Sequence, residues 1–428
     1  MRVLLVDFSP FGPAVTPISL GNMGAVLQAM GHEVQVKSLG ATSAFSPRGV
    51  ATFLQDFAPR LVGFGTYQRN LLHVWALAAL VRRVLPEAAV IIGGPQATFL
   101  PDEALEAMPE IDYVSRAEGE LVIRSVAEAV AAGGPPFEPV PGATLRTREG
   151  QCVDGPKPEL PADLDGYPSP WLTGVLDPAD LDESIMLTSR GCCNDCSFCY
   201  TPRAFGRRIR AQSVERVLDD ITRVCQGGCG RLWFADPNFS FSRRRVVAIL
   251  EGILSRGLKP EMWVETRADM LDDELMALFK RAGVHTVALG LESASQRVYP
   301  DLDKDISPDA IGQAARSMLG AGLDVELFSQ YALPNETYDD ALETLAFVQE
   351  CGVPIRGNSN AQQMQLYFGS ALCDDLGQNG ILPLRDDLPP YLSIGAEFET
   401  DWMSAGEIRQ VKEAWRARSE DGGKRVVS

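Results

Sequence analysis

The sequence predicts an α/β protein: a doubly wound parallel sheet, then an open six-unit βα barrel, then a short helical extension. Three observations carry that reading. Apolar runs such as Arg2–Asp7 and Leu61–Thr66 alternate with helical-period stretches, and strands buried on both faces read as unbroken apolar runs. The alternation stops at a proline-crowded stretch and then resumes. The composition, 45% hydrophobic and 22% charged over 428 residues, is that of a core-forming chain, so a disordered or fibrous protein is excluded.

The first domain is expected over 1–133. Its strands are predicted at Arg2–Asp7, Glu33–Lys37, Leu61–Thr66, Val90–Ile92 and Tyr113–Ser115, with helices at Ile18–Gly31, Leu71–Val84 and Leu121–Ala132. This is a Rossmann-like alternation, and such sheets bind ligands at the carboxyl ends of their strands. Residues 134–183, with nine prolines between Pro135 and Pro170, read as a linker with one hairpin, Ala143–Arg146 against Gln151–Val153. From 184 to 372, strands are predicted at Ser184–Leu187, Arg231–Phe234, Glu261–Glu265, Thr286–Gly290, Val325–Tyr331 and Gln363–Tyr367. The helices between them are Val214–Cys225, Arg244–Ser255, Asp272–Ala282, Pro308–Ala321 and Tyr338–Cys351. Six βα units make a partial, TIM-like (β/α)6 barrel, with chemistry at the strand C-termini. The extension, 373–428, contains an amphipathic helix near Ser404–Arg418 with Ser404 as its N-cap, and ends in a frayed tail.

Charge narrows the partners. The chain has 39 basic and 57 acidic residues, a net −18. Such a surface repels phosphate backbones, so nucleic acid is not expected as a partner. No apolar run approaches the roughly 20 residues of a membrane span, and the N-terminal run is shorter than the ~7–15 residues of a signal h-region. Nine cysteines are present, four of them between Cys192 and Cys199. That clustering points to a metal site in a reducing compartment, hence to the cytoplasm.

The cluster reads SRGCCNDCSFCY. Cys192, Cys196 and Cys199 give C-x-x-x-C-x-x-C, directly after the first barrel strand. Three thiolates on one loop can wrap a four-iron cluster and leave one iron open to a small molecule. A second register, Cys193, Cys196 and Cys199, is of ferredoxin type, but Arg203 stands where that pattern wants a fourth Cys. A zinc site would need a second ligand pair, and none follows at suitable spacing. Cys152, Cys225, Cys229, Cys351 and Cys373 read as small buried hydrophobes. His32, His73 and His285 lack ligand spacing and read as structural.

The cysteine motif, with aromatic Phe198 before its last Cys, resembles the radical S-adenosylmethionine (SAM) superfamily. The resemblance continues in order along the barrel. It implies SAM-binding roles for Asp236 and Asn238 in WFADPNF, Arg267 in ETRADM, Glu292 and Ser293 in LGLESAS, and Gln330 in QYALPNET. The last stretch is similar to the family's G-L-P-G-E-T, with Ala332 and Asn335 at the two Gly positions. Tyr200, after the last Cys, is a candidate catalytic residue. In the first domain, Asp7, Ser9 and Gly12 match the D-x-H-x-x-G of cobalamin-binding domains, with Ser9 in place of the metal-ligating His. The resemblance further implies cobalamin contacts from Thr66, Tyr67, Gln68, Gly93, Gly94, Gln96, Glu118 and Gly119. Arg69 is a candidate catalytic residue: a fixed cation under cobalt cannot offer a lone pair.

Together these motifs resemble cobalamin-dependent radical SAM enzymes over residues 1 to about 372. The implied cofactors are a [4Fe-4S] cluster, SAM and cobalamin. The implied activity is transfer of a methyl group, carried on cobalamin, to an unactivated carbon from which a deoxyadenosyl radical has taken hydrogen. The expected substrate is a small-molecule or peptide natural-product intermediate, and the expected electron donor an external flavodoxin or ferredoxin type. Ring contraction or cyclisation without net methyl transfer, or loss of cobalamin from the first domain, are the alternatives. A non-catalytic binding protein would not need the barrel. Nothing in the sequence specifies oligomeric state.

Overall fold

The computed structural model describes residues 1–9, 16–40, 46–67, 70–133, 135, 137–356, 361–384 and 398–419. The chain divides into two compact units. The first runs from Met1 to Asp177 and includes Tyr367–Gly369; the second takes Pro178–Leu366 and the described residues from Ser370 on.

The first unit is built on strands β1 (Arg2–Ser9), β2 (Glu33–Gly40), β3 (Leu61–Gly65), β4 (Ala89–Gly93), β5 (Tyr113–Ser115), β6 (Ala143–Arg146) and β7 (Cys152–Asp154). The sheet order is β2-β1-β3-β4-β5-β6-β7, the first five strands parallel. The chain leaves β1 for β2 on one side and reaches β3 on the other. The switch point, where such sheets bind ligands, therefore lies between the C-terminal ends of β1 and β3. Helices α1 (Ile18–Ala29) and α4 (Gly119–Ala132) share a core with Val3, Leu5, Leu61 and Ile91. Helices α2 (Pro47–Phe57) and α3 (Leu71–Val84) pack together elsewhere in the unit. Helix α2 starts where its sequence says it should: Pro47 follows Ser46, whose Oγ accepts the Gly49 N–H at 3.0 Å.

The predicted hairpin forms, but it is not a detached strap. β6 pairs antiparallel with β5, with Tyr113 opposite Leu145, and Val140, Ala143 and Leu145 join the core. The hairpin covers an edge that β5 would otherwise leave open. This is why the compact unit extends past the proline-rich stretch to Asp177.

The second unit has a six-stranded parallel sheet in chain order: β8 (Ser184–Met186), β9 (Arg231–Phe234), β10 (Glu261–Thr266), β11 (Val284–Glu292), β12 (Asp324–Tyr331) and β13 (Ala361–Gln363). Sequential order makes a barrel wall, and β8 and β13 remain its two edges. Helices α5 (Val214–Gln226), α6 (Arg243–Ser255), α7 (Asp273–Ala282), α8 (Pro308–Gly320) and α9 (Tyr338–Glu350) connect the strands. Ser213, Asp272, Ser307 and Thr337 cap α5, α7, α8 and α9. β12 has two different faces. On β12, Val325, Leu327, Ser329 and Tyr331 are buried, while Asp324, Glu326, Phe328 and Gln330 are half-buried. The half-buried rows form the concave face. The last strand lies earlier than predicted: Ala361–Gln363 pairs with Ser329–Tyr331, and Tyr367–Gly369 then clusters with the first unit. The terminal helix α10 (Ala405–Ala417) begins at Ser404, and a capping box with Glu407 fixes that start. Among the described residues no helix is long and apolar enough to cross a membrane.

Candidate functional site

Two groups of residues stand at strand C-termini, one in each unit. In the first unit, Asp7 and Ser9 end β1, Thr66 and Tyr67 follow β3, Gly93 and Gly94 close β4, and Glu118 and Gly119 follow β5. Burial pushes Asp7 up to about 6, against the lowering effect of the Phe8 N–H. Thr66 is fully buried, and both its N–H and its Oγ1–H donate to the Gly93 carbonyl. Gly94 has φ +110°, and a Cβ there would stand 2.7 Å from the Thr66 carbonyl oxygen, so only glycine fits. Gln96 is buried and donates its N–H to that same carbonyl at 3.3 Å. Tyr67 is 48% exposed. Glu118 is buried at the start of α4, and Gly119 lies against Met23. Gly12, Gln68 and Arg69 lie outside the described residues.

Asn70 escaped the sequence reading. It is 1% exposed. Its Nδ2 donates to the carbonyls of Phe8 (2.9 Å) and Gly65 (3.0 Å), and its Oδ1 accepts the Tyr67 N–H at 2.7 Å. One amide thus locks β1, β3 and the following loop at the switch point. An Asn before an apolar helix reads only as a cap.

In the second unit a short antiparallel ribbon, Ser189–Arg190 against Arg210–Ala211, pins both ends of the cysteine loop. Gly191 has φ +88°, and a Cβ there would lie 2.6 Å from the Arg208 carbonyl. Cys192, Cys196 and Cys199 share this loop. The charges of Cys192 and Cys199 both bear on Cys196, and that of Cys192 on Cys199. Burial pushes the Cys196 thiol up to about 11, opposed chiefly by the Lys304 ammonium. Cys193 is exposed. Among the described residues no three Cys, His, Asp or Glu side chains close on a single ion. Cysteines that each bind a different iron of a four-iron cluster need the wider spacing instead. Three thiols on one short loop are the donor set a four-iron cluster takes. Tyr200 begins the short helix Thr201–Phe205 beside Cys199.

Around the loop, the predicted polar residues divide into two kinds. Some brace the fold. Asp236 is 1% exposed, and its carboxylate accepts the Thr188 N–H (3.1 Å), the Thr188 hydroxyl and the Ser189 hydroxyl. It ties β9 to the segment that carries the cysteines, and burial pushes it up to about 6. Asn238 Oδ1 accepts the Thr266 hydroxyl at 2.9 Å. Ser293 is fully buried against Thr344 of α9.

The others line the mouth of the concave face. Glu292 ends β11 at φ +66°, just past a register shift against β12. The bulge re-aims its side chain. Its Oε1 accepts from Lys304 Nζ (2.8 Å) and its Oε2 from Gln330 Nε2 (2.7 Å). Lys304 also donates to the Gly290 carbonyl at 2.7 Å. Arg267 forms a fork with Asp269 at 3.0 and 2.9 Å and feels the charges of Cys196 and Cys192. Lys304 was invisible in sequence because it sits in the acidic run DLDKD and reads as a solvated charge. Deeper on the concave face stand Trp233 and Trp263, edge-to-face at 5.5 Å, with Phe328 5.8 Å from Trp263. Glu265 and Glu326 share this region, and burial pushes Glu265 up to about 7, with Asp236, Glu292 and Glu326 adding to the rise.

The ALPNET turn keeps left-handed backbone without its glycines: Ala332 and Asn335 both have φ +63°. Asn335 is suited to it, and its Nδ2 donates to Asp301 Oδ2 at 2.6 Å. Within the turn, Glu336 is fully buried; its Oε2 accepts the Leu333 N–H at 3.1 Å and its Oε1 is unpartnered. Burial pushes Glu336 up to about 8 from an ordinary 4.5. The folded state therefore holds a proton that the unfolded chain releases. Stability is intact at low pH and falls as pH rises through this window, by about 1.4 kcal/mol per pH unit for one proton. We expect Glu336→Gln to match the wild type in urea midpoint at pH 5 and to exceed it at pH 8. Equal midpoints at both pH values would mean that Glu336 ionises at no cost.

Comparison with known proteins identifies both domains. Residues 8–127 match the B12 binding domain, and residues 186–348 match the radical SAM superfamily. The hopanoid C-3 methylase of Methylococcus capsulatus is 31% identical over 396 residues, 88% of this chain and 74% of that protein. The chain belongs to the cobalamin-dependent radical SAM family. Its cofactors are a [4Fe-4S] cluster, SAM and cobalamin. Among family structures, TsrM from Kitasatospora setae with cobalamin and a [4Fe-4S] cluster bound superposes at TM-score 0.72 and 19% identity, covering 92% of this chain and 81% of that one. Another structure of TsrM holds tryptophan substrate and a SAM analogue. OxsB, a cobalamin-dependent SAM radical enzyme, superposes at TM-score 0.76 and 16% identity, covering 97% of this chain but only 66% of the OxsB chain.

Proposed function

We propose that this member of the family is a methyltransferase acting on an unactivated carbon of a small-molecule or peptide natural-product intermediate. The observation that carries the reading is the pairing, in one chain, of a cobalamin-type switch point with a three-cysteine loop. The similarity to a methylase over most of the chain supports it. When bound, the cluster supplies the electron that cleaves SAM, and cobalamin supplies the methyl carrier.

The chain's own residues supply binding and orientation. Cys192, Cys196 and Cys199 would hold three irons. Lys304 and Arg267 place two cations at the barrel mouth, where the methionyl carboxylate of SAM needs them. Glu292, held by Lys304 and Gln330, offers an acceptor for an amino or ribose hydroxyl group. Gly93 and Gly94 let a flat macrocycle approach the backbone. Ser9 brings a hydroxyl where an imidazole would have bound cobalt. By resemblance alone, Arg69 is proposed as a cation that offers cobalt no lone pair. Trp233, Trp263 and Phe328 give the concave face an apolar patch, which would help shield a carbon radical from water. An external flavodoxin or ferredoxin type is the proposed electron source.

The test is anaerobic expression with cobalamin, followed by corrin analysis and turnover of SAM under reducing conditions. The expected result is one corrin per chain, with both S-adenosylhomocysteine and 5′-deoxyadenosine as products. Deoxyadenosine alone, from protein that retains corrin, would point to rearrangement instead. Deoxyadenosine from corrin-free protein would make the first unit a relic and remove the methyltransferase reading.

A further inference from the structure

We propose that the concave face of the barrel takes a substrate with a cationic amine on an apolar body, the ammonium seated against Glu265 and the body lying on Trp233, Trp263 and Phe328. The site rests on the methyltransferase reading and gives that reading a substrate class.

Strand register builds the shelf. Trp233 of β9 stands beside Trp263 of β10, and Gly290 of β11 beside Phe328 of β12. In-register neighbours share a face of the sheet. Opposite Glu265 and Phe328, β11 carries only Ala288 and Gly290. These are too small to separate the rings, so Trp263 reaches across to Phe328 at 5.8 Å while meeting Trp233 edge-on at 5.5 Å. Glu265 lies two residues after Trp263 and hence on the same face, in line with Ala288 and, beyond it, Glu326. The three rings and Glu265 are all half-buried, so the shelf keeps open surface.

The cations around this face are already engaged. Lys304 pairs with Glu292 at 2.8 Å, Arg267 with Asp269 at 2.9 Å, and Arg356 with Asp324 and Glu326 at 2.6 and 3.4 Å. Glu326 also accepts from Trp263 Nε1 at 3.4 Å. Among the described residues Glu265 has no ion pair. Burial pushes its carboxyl up to about 7, and the indole of Trp233, not a cation, opposes the rise. A carboxyl so placed is costly to ionise without a cation, and an arriving ammonium removes that cost. The negative faces of the rings attract the same charge. Glu292 and Glu326 repel an anion, and a neutral substrate leaves Glu265 uncompensated.

The experiment is isothermal titration of the anaerobically rebuilt enzyme, with cobalamin and saturating SAM but no reductant, so that the SAM site is filled and nothing turns over. The probes are phenethylamine, phenethyl alcohol and 3-phenylpropionate, which put a cationic, a neutral and an anionic head on one kind of apolar body. The amine should bind about tenfold more tightly than the alcohol, the factor of a hydrogen bond to a charged group, and the acid most weakly. Glu265→Gln keeps the shape and removes the charge; it should bring amine and alcohol within about twofold of each other, the remainder being the pull of the rings. Glu326→Gln should keep the wild-type ranking, because Arg356 and Trp263 already hold that carboxyl. Equal binding of amine and alcohol by the wild type, tighter binding of the acid, or no binding of any probe overturns the proposal. So does a preference for the amine that survives Glu265→Gln or disappears in Glu326→Gln. Corrin content and the products of SAM turnover, measured on the same preparation, report separately on the methyltransferase reading.

Discussion

Cys192→Ala is expected to leave no detectable reductive cleavage of SAM and to lower bound iron, whereas Cys193→Ala keeps both near wild type. The two residues are neighbours of identical chemistry, so the contrast isolates geometry. Cys192 is half-buried, its charge bears on both Cys196 and Cys199, and its Sγ accepts from Asn194. Cys193 is exposed, and only its carbonyl is engaged, by Arg207 at 3.2 Å. The ends of their loop are pinned by the Ser189–Arg190 ribbon. The measurement is deoxyadenosine formed per reconstituted chain, with iron assayed alongside. Activity retained by Cys192→Ala and lost in Cys193→Ala would move the site to the ferredoxin-like register.

How much of this was legible beforehand depends on how far apart in sequence the partners lie. The strands and helices followed from periodicity and caps, because both are local. The residue that begins α10, Ser404, was readable because its capping partner, Glu407, is three residues away. The roles of polar side chains were not. Asp236 and Ser293 look like cofactor contacts in a motif, and they also hydrogen-bond Thr188 and Thr344, 48 and 51 residues distant, which no local pattern shows. Lys304 failed in the other direction: its neighbours in sequence are acids, but the turn after β11 folds it back onto Glu292 and buries both. The edge position of β5, and hence the place of the hairpin, depended on sheet order, which no local pattern encodes.

That buried pair gives the second large effect. Lys304→Met and Glu292→Gln are each expected to destabilise the protein, and the double variant to be less unstable than Lys304→Met alone. Both side chains are 10% exposed in a 2.8 Å contact. Removing the ammonium leaves a buried carboxylate with Gln330 alone, and breaking such a pair costs about 3–5 kcal/mol. Removing both charges deletes the penalty together with the attraction, so a coupling of about 2 kcal/mol or more should appear in the double-mutant cycle. Gly290 supports the same geometry: a Cβ there would lie 2.5 Å from both Glu292 Oε1 and Lys304 Nζ. Urea unfolding read by tryptophan fluorescence provides the cycle, and strictly additive losses would show that the contact carries no coupling. The argument also bears on binding. Glu265, Glu292 and Glu326 put three carboxyl groups on the concave face, so an anionic ligand group can approach only where a cation outweighs them. Lys304 is one of the two cations at the mouth, with Arg267, and isothermal titration should find SAM affinity lowered in Lys304→Met and largely kept in Lys304→Arg. The stability loss and the affinity loss should then separate, since the charge-neutral double variant regains stability but not SAM.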